Sequence, residues 1–222
     1  MAFTKVTSKV VSVDVRPGGE VLARRGAMLA TSGRIAFSPV SSGPGGGGYG
    51  GGIAAALARG MQGEAVPLMV AEGSGTVHYG FRGHHVTVID LDGSQAVSVE
   101  ADRLLAHDAN LSSSVVFLGQ QGGLRGAVRG AVTGQGLFTT QLSGRGSVAV
   151  LSHGGTFALP VGGAQQIVVD PQAYVAHVGD LRLDVSTNVS WRDAVGRGSG
   201  EAVQLKVSGV GTVYVQASEK KL

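Results

Sequence analysis

The residues of this 222-residue chain that could do chemistry are six histidines, the aspartates Asp90 and Asp92 beside a turn, and glycine-flanked runs such as Gly144-Arg145-Gly146. Metal binding needs imidazoles that converge on one ion. His84 and His85 are adjacent, and neighbours on a strand point to opposite faces, so the two do not chelate together. His107 and His177 each follow an apolar pair, Leu105-Ala106 and Val175-Ala176, with Thr31 in the corresponding place after Leu29-Ala30. Equivalent positions could meet at an axis, but partly exposed strand ends are the simpler expectation, and no metal site is assigned.

Gly144-Arg145-Gly146-Ser147-Val148-Ala149 has the spacing of a dinucleotide fingerprint. That fingerprint needs a helix after it, so that phosphate meets the helix N-terminus. Here Val148, Val150 and Leu151 continue as strand. The run from Gly43 to Gly52 lacks the Lys-Ser or Lys-Thr ending of a phosphate-binding loop. No Gly-x-Ser-x-Gly elbow occurs, and the absence of cysteine removes thiolate chemistry and disulfides. Asp90 and Asp92 fit the local hydrogen bonding that aspartate provides around turns. No catalytic, cofactor-binding or metal-ligating residue is therefore assigned, no cofactor is expected, and the chain is read as a non-enzyme.

The elements around these residues recur. One runs Val13-Asp14-Val15 to Pro17-Gly18-Gly19, then Val21-Leu22-Ala23, then Met28-Leu29-Ala30. Its second copy runs Thr87-Val88-Ile89-Asp90-Leu91 to Asp92-Gly93, then Val97-Ser98-Val99, then Leu104-Leu105-Ala106. Its third runs Phe157-Ala158-Leu159-Pro160-Val161 to Gly162-Gly163, then Ile167-Val168-Val169, then Tyr174-Val175-Ala176. Alternating apolar residues predict half-buried strands, and the glycine pairs predict hairpin turns. A second element, strand, G-x-G-[ST]-V turn and strand, recurs as Gly73-Ser74-Gly75-Thr76-Val77, Gly144-Arg145-Gly146-Ser147-Val148 and Gly209-Val210-Gly211-Thr212-Val213. The spacing predicts three lobes, roughly 1–80, 81–151 and 152–222, within a single compact unit over 1–222. Ile53 to Arg59, after the Gly-rich run, predicts one short helix. Gly119 to Gly136 reads as another Gly-rich crossing.

The chain is 43% hydrophobic and 15% charged, where about a quarter charged is typical. So sparse a charge implies that part of the surface is covered, and a homo-oligomer is expected. Net charge is +3, and basic residues do not cluster, which argues against nucleic acid. No signal segment and no span of about 18 apolar residues is visible, so a cytoplasmic protein is expected, with peripheral membrane association left open.

Laid out in order, Pro17-Gly18-Gly19-Glu20, Gly26-Ala27-Met28, Gly63-Glu64, Gly136-Leu137-Phe138, Leu142-Ser143-Gly144-Arg145-Gly146, Ile167-Val168-Val169-Asp170, Val175-Ala176 and Gly209 to Gln216 give the chain a resemblance that spans nearly its whole length. It resembles the family named for altered inheritance of mitochondria, whose bacterial members have a fold like the tryptophan RNA-binding attenuator protein. The resemblance implies an all-β fold of three pseudo-threefold-related, β-sandwich-like (double-stranded β-helix) repeats and little chemistry. It links the yeast member to the mitochondrial inner membrane, and a bacterial cytoplasmic member fits this chain better. The function expected is a non-enzymatic oligomeric scaffold or protein-interaction module with an unknown protein partner. The alternative is a ligand- or RNA-binding module of the attenuator-protein type. Arg24-Arg25 face Glu100-Ala101 and Asp170-Pro171 in the aligned copies, so basic residues do not repeat in register as RNA readout around a ring would need.

Overall fold

A computed structural model describes residues 2–40, 67–117, 138–163, 166–186, 204–220 and 222. The expected helix at 53–59, the Gly-rich run 43–52 and the crossing 119–136 lie outside these residues. The described chain is built of strands β1 (Thr4–Thr7), β2 (Val10–Val15), β3 (Val21–Arg24), β4 (Met28–Pro39), β5 (Leu68–Tyr79), β6 (His85–Asp92), β7 (Val97–Glu100), β8 (Leu104–Asp108), β9 (Ser112–Phe117), β10 (Phe138–Ser143), β11 (Arg145–Ser152), β12 (Thr156–Val161), β13 (Ile167–Val169), β14 (Tyr174–Ser186) and β15 (Gln204–Gln216), with one 3-10 turn at Ala101–Arg103. The all-β expectation holds. Among the described residues no helix is long and apolar enough to cross a membrane.

Three successive stretches make the same antiparallel pairings. In the first, β2, β3 and β4 all pair with β5. In the last, β12, β13 and β14 all pair with β15. In the middle one the two long strands are each cut in two: β6 and β8 pair with β11, while β7 and β9 pair with β10. The registers coincide. Val21 lies opposite Ala71, Val97 opposite Leu142 and Ile167 opposite Val207. Asp14 faces Thr76, Asp90 faces Ser147 and Pro160 faces Thr212. On the first two of these rungs the hydroxyl donates to the carboxylate, at 2.7 Å and 2.5 Å; Pro160 offers no such acceptor.

The G-x-G segments are not turns. Gly73 to Val77 runs inside β5 and Gly209 to Val213 inside β15. Their glycines let two long strands cross at backbone contact. A Cβ on Gly73 would sit 2.2 Å from the Arg34 carbonyl oxygen, and one on Gly209 would sit 2.2 Å from that of Asp180. Only at Gly144 does the chain break, between β10 and β11. There the Asp108 carboxylate takes the place of a crossing backbone: its Oδ2 accepts from the Ser147 amide at 2.9 Å and would lie 2.7 Å from a Cβ on Gly146.

Two junctions join the stretches. β3 pairs with β8, with Leu22 opposite His107, and β7 pairs with β14, with Ser98 opposite His177. These junctions assemble an eight-stranded sheet and a seven-stranded sheet, and the middle stretch contributes strands to both. They also complete the cores. The first core, around Val11, Val13, Val21 and Val77, contains Leu105 and Ala106 from β8. The second, around Ile89, Val97, Leu142 and Val148, contains Val175 and Ala176 from β14. Among the described residues the third is made of residues from β12 onwards.

Replacing Gly209 by alanine drives a methyl into the Asp180 carbonyl at a φ of +113°. The expected loss is about 3 kcal/mol or more, since overpacking and left-handed strain add. Gly83→Ala, at φ +73° with open space around it, is expected to cost about 1–2 kcal/mol. Urea unfolding of the two variants checks the difference.

Candidate functional site

The histidines singled out by spacing are not strand-end ligands. His107 is fully buried in β8 and His177 nearly so in β14, each on a strand paired edge to edge with β3 or β7. Nδ1 of His107 is 2.8 Å from the Asp108 carbonyl oxygen, and Nδ1 of His177 is 2.7 Å from the Tyr174 hydroxyl. They occupy two different junctions and do not converge. Among the described residues no group of three His, Asp or Glu side chains could hold a metal ion. His85 lies opposite Ser152 in the β6–β11 ladder, while His84 meets His153 edge to face with ring centroids 4.4 Å apart. That contact was invisible in the sequence, since the two residues lie in different stretches. Desolvation first, and then the charges of His153, Arg82, Arg103 and Arg24, hold the His84 pKa below its usual value.

Asp92 does what its turn position predicts, with Oδ1 accepting from the Ser94 amide at 2.8 Å and the Ser94 hydroxyl at 2.6 Å. Asp90 is held by Ser147. Gly144 to Ala149 leads into strand β11 with no helix following, so the dinucleotide spacing has no helix N-terminus to offer phosphate.

One polar group that spacing did not suggest is Arg103, 1% exposed. Its counterparts in the other stretches are Ala27 and Ala173, both buried. Nε pairs with Glu100 Oε2 at 2.6 Å, Nη1 donates to Gln216 Oε1 at 2.5 Å and Nη2 to the Gln172 carbonyl at 2.7 Å. Gln216 Oε1 also accepts from the His153 amide, and its Nε2 reaches the Ser218 and Lys220 carbonyls at 2.8 Å and 2.7 Å. Arg24 caps the same turn from the other side, donating to the Leu104 and Asp102 carbonyls while its guanidinium stacks 4.9 Å from the Phe81 ring centroid. These groups tie the stretches together.

An open feature lies at the last stretch. A groove of about 660 Å³ beside β13 is lined by Phe157, Leu159, Val168, Val169, Ala173, Val215 and Ala217 together with Asp170, Gln204, Gln216, Ser218 and Glu219. Phe157 is 48% and Val168 51% exposed. The corresponding strands β3 and β7 are covered by β8 and β14, and β7 is buried throughout. Among the described residues β13 pairs with β15 alone and β4 with β5 alone. The start of β4 is exposed in turn, Met28 to 44% and Leu29 to 56%. Their counterparts Leu104 and Leu105, and Tyr174 and Val175, are buried.

Two measurements follow. Breaking a buried ion pair by removing one partner costs about 3–5 kcal/mol, so Arg103→Met is expected to lose that much in urea unfolding. Arg103→Met with Glu100→Leu is expected to recover part of it, because no charge is left unpaired. The second concerns pH. Burial pushes the His177 pKa down to about 4 from 6.5 and lowers that of His107 as well. The unfolded chain then binds more protons than the folded one between about pH 6.5 and 4, so stability falls as pH drops through that window. The His177 share is on the order of 3 kcal/mol. Thermal melts across the window should show the decline, and His177→Gln should flatten it.

A model of the family described as "Mitochondrial biogenesis AIM24" matches residues 2–218. The chain is also similar to the crystal structure of protein SPYM3_0169 from Streptococcus pyogenes, at 20% identity and a TM-score of 0.70, over 98% of this chain and 92% of that one. At that identity the likeness speaks for the fold alone. No curated protein matches the chain. The match of the family model over nearly all of its length places this chain in the mitochondrial biogenesis AIM24 family.

Proposed function

We propose that this protein is a non-enzymatic β scaffold that works by assembling with further copies of itself and presenting the resulting surface to protein partners. The observation that carries the reading is the contrast between the junctions and the two ends. Positions that β3, β7, β8 and β14 bury against one another have counterparts in Val168 of β13 and in Met28 and Leu29 at the start of β4 that stand exposed. Exposed apolar strand edges on a single copy are aggregation liabilities unless a partner covers them. The sparse charge, 15% of residues, supports a covered surface as well. The burial of both histidines and the bonding of Arg103 to Glu100, Gln216 and the Gln172 carbonyl support a structural use of these polar residues. Family membership names no reaction, and location in the cytoplasm remains part of the same proposal.

Native mass measurement over a wide dilution series tests this. The expected particle is a multiple of the 22.3 kDa chain. A strict monomer at every concentration overturns the scaffold reading. A salt-dependent mobility shift with single-stranded RNA would replace it with the RNA-binding alternative.

A further inference from the structure

Each stretch leaves one edge for its successor and inserts one apolar pair into its predecessor. β3 receives β8, and Leu105-Ala106 enter the first core. β7 receives β14, and Val175-Ala176 enter the second. The two junctions are in identical register. Val21 opposite Asp108, Leu22 opposite His107 and Ala23 opposite Ala106 match Val97 opposite Val178, Ser98 opposite His177 and Val99 opposite Ala176. Each carries one further backbone bond, from the Ala109 amide to the Glu20 carbonyl and from the Gly179 amide to the Ala96 carbonyl.

The third receiving edge is β13 with its groove, and the third insert is Met28-Leu29-Ala30. Both exist in this chain, and among the described residues neither has taken the other. We propose that the groove beside β13 receives the start of β4 from a second copy of this chain. Ile167, Val168 and Val169 then pair with Ser32, Thr31 and Ala30 of that copy, and Leu29 of that copy enters the groove between Phe157 and Val168. The proposal rests on the self-assembly reading above and adds the site, the partner segment and the register. Shape and chemistry agree with it. The groove is lined by seven apolar and five polar residues, and in the two made junctions the position of Leu29 is held by Leu105 and Val175, of similar character. The contact is heterologous, with different surfaces on the two copies, so assembly proceeds head to tail into a ring if the rotation closes and a filament if it does not.

The chain has no cysteine, so introduced thiols are unique. Thr31→Cys and Val168→Cys proteins are prepared separately, mixed and mildly oxidised, with a Val6→Cys and Val168→Cys mixture as the collision control; Val6 is likewise exposed, in β1. The expected result is a cross-linked dimer from the first mixture, little from either protein alone, little from the control, and a ladder of multimers from the double variant. In parallel, Leu29→Lys and Val168→Lys should each weaken association by on the order of tenfold. Their thermal midpoints at concentrations where the parent is dissociated should stay unchanged, because both side chains are exposed in the single copy. An internally cross-linked monomer from the double variant would overturn the proposal by showing that the edges meet within one chain. Cross-linking no greater than the control, with the parent still oligomeric and the lysine variants undiminished, would overturn this joint while leaving self-assembly standing. A monomeric parent would remove both.

Discussion

Each of the first two cores is finished by residues that belong to the next stretch of chain. Leu105 and Ala106 fill the space under β3, and Val175 and Ala176 fill the space under β7. Burying such a leucine or valine is worth about 1.5–3 kcal/mol, and the strand pairing that delivers it satisfies the backbone edge at the same time. The stretches therefore depend on one another in order, as stacked repeats do. The last receiving edge and the first insert are what this dependence leaves over.

The glycine crossings serve the same end. β5 and β15 each pair with two short strands and one long strand. At the glycines backbone meets backbone at distances no side chain tolerates. In the middle stretch the chain meets this demand by breaking the long strands and using the Asp108 carboxylate to hold the Ser147 amide. That broken stretch is the one that shares its strands between both sheets.

The polar groups at the centre follow a different logic. A buried Arg103 replaces an alanine of the other stretches, and its cost is met by Glu100 and by the Gln216 and Gln172 oxygens. Such a group adds less to stability than an apolar substitute of the same shape would, yet it accepts only one arrangement of partners.

The positions of several short strands were legible in the sequence. Val13 and Val15, Ile89 and Leu91, and the returning alanines 30, 106 and 176 report a period of two and a common plan, because each is set by its own local face. The G-x-G segments were legible as glycine requirements but not as close crossings, since a turn and a close crossing ask for the same residue. The burial of His107 and His177, the Arg103 cluster and the meeting of His84 with His153 could not be read at all. Each depends on a strand or side chain dozens of residues away. Nor does sequence show why Leu29 stands exposed while Leu105 and Val175 are buried. The three look alike locally, and only the tertiary arrangement, by giving two of them a preceding edge and denying it to the first, decides which apolar pair is core and which is surface.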